Sequence, residues 1–144
     1  MLQIRARVIV KPTEDEARVA QALTNIFPGT VPTREGDHLV VEAADLARLR
    51  ELIRNGRIPD TARGVMLGGL SEDGMRASFR LGKQAAAVGR AHFGSIRGPL
   101  GDIDVDIVGT DPGEVERAIY HAAPDTTVAA ELAEVPASQR PALP

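Results

Sequence analysis

Three segments of this chain alternate apolar with polar residues at a period of two. Ile4, Ala6, Val8 and Val10 are interleaved with Arg5 and Arg7, Met75, Ala77, Phe79 and Leu81 with Arg76, Ser78 and Arg80, and Ile103, Val105 and Ile107 with Asp102, Asp104 and Asp106. Successive side chains of a strand point to opposite faces, so each segment fits a sheet with one face buried and one wetted. Helical patterns lie between them. Thr13-Glu14-Asp15-Glu16 reads as a capping box ahead of the stripe Val19, Ala22, Leu23 and Ile26, which Phe27-Pro28-Gly29 ends. A second stripe, Leu46, Leu49, Leu52 and Ile53, ends at Asn55-Gly56, where a left-handed C-cap is expected. A third helix, capped by Asp60 or Thr61, carries Ala62, Val65 and Met66 and stops at Gly68-Gly69.

Between the first two helices, a short segment around Thr30-Val31 and the stretch His38–Glu42 flank Arg34-Glu35-Gly36-Asp37, a turn that can close a hairpin. Residues 82–89 have room for one or two helical turns between glycines, and Ala91-His92-Phe93 reads as extended. Asp111-Pro112 opens a last helix, with Val115, Ala118, Ile119 and Ala122 as its buried stripe. Strands outnumber the helical crossovers that could make them parallel. The pattern therefore predicts an α+β two-layer domain, a mostly antiparallel sheet with helices packed on one face. That domain is expected over residues 1–123, followed by a loosely ordered tail rich in Pro and Ala over 124–144.

The 144 residues include no cysteine, which removes disulfides and thiolate metal sites, and no apolar run approaches the length of a membrane span. A soluble cytoplasmic protein without membrane contact is expected. The net charge of −3 argues at first against nucleic acid, but it is an average over unlike thirds. Residues 48–97 hold 10 Lys and Arg against 4 Asp and Glu, whereas residues 98–144 hold 2 against 9.

The inventory for catalysis is thin. His38, His92 and His121 lack metal-ligand spacing, Gly82-Lys83 lacks the rest of a phosphate loop, and Ser95 lacks the glycines of a nucleophile elbow. Asp102, Asp104 and Asp106 read better as a solvated strand face than as a metal site. A protein that is not an enzyme, with neither cofactor nor metal, is the expectation. Gly98-Pro99-Leu100-Gly101 has the glycine spacing of a KH loop but the wrong surroundings, and the four aromatic residues are too few for a base-stacking sheet. What remains is a cationic segment with Arg54, Arg57, Arg63, Arg76, Arg80, Lys83, Arg90 and Arg97, suited to phosphates and to the shape of helical RNA.

Arg57-Ile58-Pro59-Asp60-Thr61-Ala62-Arg63, Phe79 through Gly89 with its Lys83-Gln84-Ala85-Ala86-Ala87-Val88-Gly89, and Pro99-Leu100-Gly101-Asp102-Ile103 resemble an archaeal family of small uncharacterised proteins classed as RNA-binding. That family is kin to a predicted exosome-subunit family, and the resemblance covers roughly residues 3–123. It implies a fold like that of the ribosomal protein that binds 5S RNA, RNA as partner, and a place in an RNA-processing complex. It carries over no catalytic residue. Charge and resemblance together make Arg57, Arg63, Arg76, Arg80, Lys83, Gln84, Arg90 and Arg97 the candidate RNA contacts, with Lys83 and Gln84 expected to be accessible among small neighbours. The alternative is a homodimeric interaction module without RNA affinity, built on a sheet edge or on the apolar face of Met75–Leu81.

Overall fold

A computed structural model of the chain describes residues 1–93 and 102–125. Its strands are β1 (Gln3–Ile9), β2 (Thr33–Glu35), β3 (His38–Ala43), β4 (Arg76–Gly82) and β5 (Asp102–Val108), and its helices are α1 (Glu16–Ile26), α2 (Ala47–Gly56), α3 (Pro59–Gly68), α4 (Lys83–Ala87) and α5 (Glu114–Ala122). The strands form one antiparallel sheet in the order β2-β3-β1-β5-β4, which is the α+β architecture expected from the alternation.

The apolar members of each strand share one face and are buried there. Ile4, Ala6 and Val8 of β1 stand beside Val41 and Leu39 of β3 and beside Ile107, Val105 and Ile103 of β5, with Ala77, Phe79 and Leu81 of β4 beyond. Val19, Leu23 and Ile26 of α1, Leu49 and Ile53 of α2, Met66 of α3 and Val115 and Ile119 of α5 belong to the same core. Each large aliphatic side chain fully buried here contributes roughly 1.5–3 kcal/mol. Ala77, Phe79 and Leu81 of the face that could have supported a dimer are therefore covered by the protein's own helices.

The outer edge of β4 is also in use. Ser78 N donates to Gly69 O and Ser71 N to Arg76 O, while Gly82 N donates to His92 O and Leu81 bridges to Phe93. The opposite edge, β2, is only 3 residues long and reads Thr-Arg-Glu, a short charged edge that discourages strand addition. Neither edge suits the edge-to-edge dimer of the alternative reading.

Several local expectations are corrected. Asp15, rather than Thr13, caps α1, its Oδ1 accepting from Ala17 N, and Glu16 pairs with Arg34 instead of closing a capping box. The hairpin turn is Gly36-Asp37, with Gly36 at φ 63°, so Arg34 and Glu35 belong to β2. Helix α3 starts at Pro59, whose missing N–H costs nothing in the first turn, and α5 starts at Glu114, beyond Asp111-Pro112. Gly56 stays helical, and Arg57 takes the left-handed C-cap at φ 55°, ψ 43°. A left-handed L-residue costs roughly 1–2 kcal/mol, of which glycine's larger unfolded-state entropy offsets part. Arg57→Gly should thus stabilise the fold by about 0.5–1 kcal/mol, read as a raised midpoint in urea. An unchanged or lower midpoint would show that the conformation carries no strain.

Candidate nucleic-acid interface

The wetted face of the sheet is a ladder of opposite charges. The register places Glu42, Arg5, Asp106 and Ser78 across one row and Val40, Arg7, Asp104 and Arg80 across the next. The acidic strand β5 thus lies between β1 and β4, both of which carry arginine. Arg80 Nε donates to Asp104 Oδ1 at 3.1 Å, Ser78 Oγ donates to Asp106 Oδ1, and Arg5 reaches both oxygens of Glu35 at 2.9 and 3.1 Å. Exposed pairs of this kind add little stability, but they cancel the field that would attract phosphate.

The candidate contacts scatter over the molecule. Arg76 and Arg80 lie on the wetted sheet face, Arg57 and Arg63 in the helical layer behind it, and Gln84 and Arg90 at α4 and just after it. Arg63, its side chain only 14% exposed, donates to Asp60 Oδ1 and to the carbonyls of Ala123 and Pro124, which ties α3 to the end of α5. Arg97 falls outside the described residues, as do most of the motif Pro99–Ile103 and nearly all of the tail.

Lys83 is corrected from an accessible cation to a buried one. Its side chain is 4% exposed, and Nζ donates to Ile9 O at 2.8 Å and to both oxygens of Glu14 at 2.8 and 3.1 Å. Glu14 Oε1 also accepts from Lys11 N at 3.0 Å. Burial by itself would raise the Glu14 pKa, but the hydrogen bonds from Lys83 and the Lys11 amide, with both lysine charges, more than offset it and hold the carboxyl below its ordinary range. This pair joins β1, the entry to α1 and the start of α4.

A different cationic row lacks acidic partners among the described residues. On α2, Leu49, Leu52 and Ile53 face the core while Arg50 and Arg54, four residues apart, are exposed on one side, and Arg57 follows at the helix end. Among the described residues none of the three has an acidic partner, because the helix's own Glu51 is taken by Arg48 at 2.6 Å. Neither Arg50 nor Arg54 was among the candidate contacts. The signal that could have found them is their spacing on the polar side of the leucine stripe. Among the described residues no group of three or more His, Asp or Glu converges to hold a metal, and Asp102, Asp104 and Asp106 simply follow one another along β5. Nor is any described helix long and apolar enough to cross a membrane.

A family model described as RNA binding matches residues 3–97. The chain is similar to a UPF0201 protein of Sulfolobus acidocaldarius, 34% identical over 122 residues that cover 78% of this chain and 82% of that protein. It is also similar to a UPF0200/UPF0201 protein of Archaeoglobus fulgidus, 39% identical over 93 residues, and spans only 28% of that relative's length. Among solved structures, the crystal structure of a UPF0201 protein from Methanococcus jannaschii superposes with a TM-score of 0.75 at 31% identity, covering 85% of this chain and 99% of the other.

Proposed function

The chain belongs to the archaeal UPF0201 family, and from that premise, with an RNA-binding family model matching residues 3–97, we propose that it is an RNA-binding protein that grips the phosphate backbone of structured RNA through Arg50, Arg54 and Arg57. One observation carries this reading: Arg50 and Arg54 on one side of α2 and Arg57 at its end are exposed and have no acidic partner among the described residues, while Arg5 and Arg80 on the sheet are matched by carboxylates. Guanidinium groups bind phosphate through paired N–H donors and keep their charge at any physiological pH. A row without aromatic side chains reads backbone and shape rather than base sequence. Arg76 and Arg90, exposed at other places on the surface, would add long-range attraction more than contact.

The test compares two sets of substitutions by fluorescence anisotropy with a hairpin RNA. Arg50→Gln, Arg54→Gln and Arg57→Gln together should weaken binding at least tenfold, whereas Arg76→Gln with Arg80→Gln should change it less than about threefold. All five positions are outside the core, so both proteins should fold. Equal losses from the two sets, or a larger loss from the sheet pair, would overturn the assignment to α2. Arg57→Gly sharpens the same test, since a variant that gains stability and loses affinity separates the two roles of that residue.

A further inference from the structure

A cleft of about 480 Å³ opens between α1 and α4, away from the α2 arginines. Val19, Ala22 and Ala87 give it apolar walls, and the buried Glu14–Lys83 pair forms part of its lining. Gln84 and Arg18 stand at it, both exposed and neither side chain with a hydrogen-bond partner among the described residues. The size falls within the range of small-ligand sites, which combine apolar walls with a few placed polar groups.

Charge decides which part of an RNA would suit this cleft. Glu14 is paired with Lys83 across its lining, and the remaining charges there, Asp15 and Arg18, are equal and opposite. A phosphate gains nothing from a site with no net positive charge, whereas a flat uncharged ring gains the apolar contact and loses no ionic hydration. A guanidinium plane such as that of Arg18 is a stacking partner for an unpaired base. The carboxamide of Gln84 offers one donor and one acceptor side by side, the pattern that pairs with N6 and N7 of adenine. Lys83 and Glu14 keep the site ready, because Gln84 follows directly on a lysine locked to β1 and α1.

On the premise that the chain binds RNA, we infer that the cleft between α1 and α4 receives one unpaired adenine base, stacked by Arg18 and hydrogen-bonded by Gln84. The α2 row then holds the backbone of a structured region while the cleft reads a base outside the helix.

The experiment measures the affinity of the full chain for oligoadenylate and oligouridylate of ten nucleotides and for a blunt RNA duplex. Wild type should prefer oligoadenylate to oligouridylate about tenfold, the discrimination of one good bidentate contact. Gln84→Leu should abolish the preference and leave duplex binding unchanged, and Arg18→Ala should weaken both single strands. Thermal melts of the two variants should match wild type, since both side chains are exposed. Equal affinity for the two oligomers, a preference that survives Gln84→Leu, or no single-strand binding while the duplex still binds would each overturn the base site alone. Failure of every RNA to bind would instead overturn RNA binding itself, and the base site with it.

Discussion

Lys83→Ala should lower the free energy of unfolding by about 3–5 kcal/mol, the range for removing one partner of a buried ion pair. Against a typical domain stability of roughly 5–15 kcal/mol, that leaves a chain at the margin of folding. The cause is the carboxylate left behind: Glu14, with its side chain 11% exposed, would lose its cation and two hydrogen bonds. Urea unfolding measures the loss, and pH identifies its origin. In wild type the Glu14 pKa is lowered on folding, so its contribution is fully present above the ordinary value of 4.5 and disappears as pH falls through the lower folded value. In Lys83→Ala the buried carboxylate prefers its proton, so the variant gains relative to wild type as pH falls. The stability gap should therefore narrow on acidification. Lys83→Met with Glu14→Gln should recover most of the loss, since an apolar side chain replaces the lysine while the glutamine oxygen can still accept from Lys11 N. A loss under 1 kcal/mol, or one independent of pH, would show that the pair is a surface contact. This substitution is thus unsuited to testing RNA contact, although the sequence alone had made Lys83 an obvious choice.

Gly69→Ala should cost about 3 kcal/mol, lowering the melting temperature by roughly 10 °C. A Cβ there would stand 1.8 Å from Ser78 O and 2.9 Å from Ser78 C, backbone atoms of β4 that cannot turn aside. Relief requires the end of α3 to lift from the strand, breaking the bond from Ser78 N to Gly69 O. The conformation itself, φ −94°, suits alanine, so the close approach is the whole reason for glycine. Gly64→Ala is the internal control. It lies within α3 with nothing inside 4 Å of its would-be Cβ, and should stabilise the helix by about 0.5–1 kcal/mol. A melting temperature for Gly69→Ala within two or three degrees of wild type would contradict the packing of α3 on β4.

The sheet was legible because a period of two survives any tertiary context that buries one face, and Ile4 to Val10, Met75 to Leu81 and Asp102 to Val108 each keep it cleanly. The helices were legible in their stripes but not in their ends. Asn55-Gly56 has the composition of a left-handed cap, yet Ile58 N reaches back to Ile53 O and fixes the turn one residue later, at Arg57. Lys83 was misjudged for a reason of distance. Its partner Glu14 lies 69 residues away and, read locally, belonged to a capping box. Charge counting also placed the basic segment in one block, whereas the strand order sets β5 between β1 and β4 and matches its aspartates to their arginines. The α2 row was legible only in part: Arg57 was a candidate contact, whereas Arg50 and Arg54 contributed to that count without being read at helical spacing. The cleft between α1 and α4 joins segments more than sixty residues apart, and no local pattern announces such a site.

Salt dependence tests the phosphate grip directly. Each phosphate neutralised on duplex RNA should contribute a slope near the −0.9 known for duplex DNA in a plot of log K against log salt concentration. Three arginine contacts would give about −2.7. Wild type bound to a duplex should show a slope of roughly −2 to −3 between 50 and 300 mM salt, and the Arg50, Arg54 and Arg57 glutamine variant a slope near zero. The same slope in both proteins would place the phosphate contacts elsewhere, and a wild-type affinity that ignores salt would contradict binding through the RNA backbone.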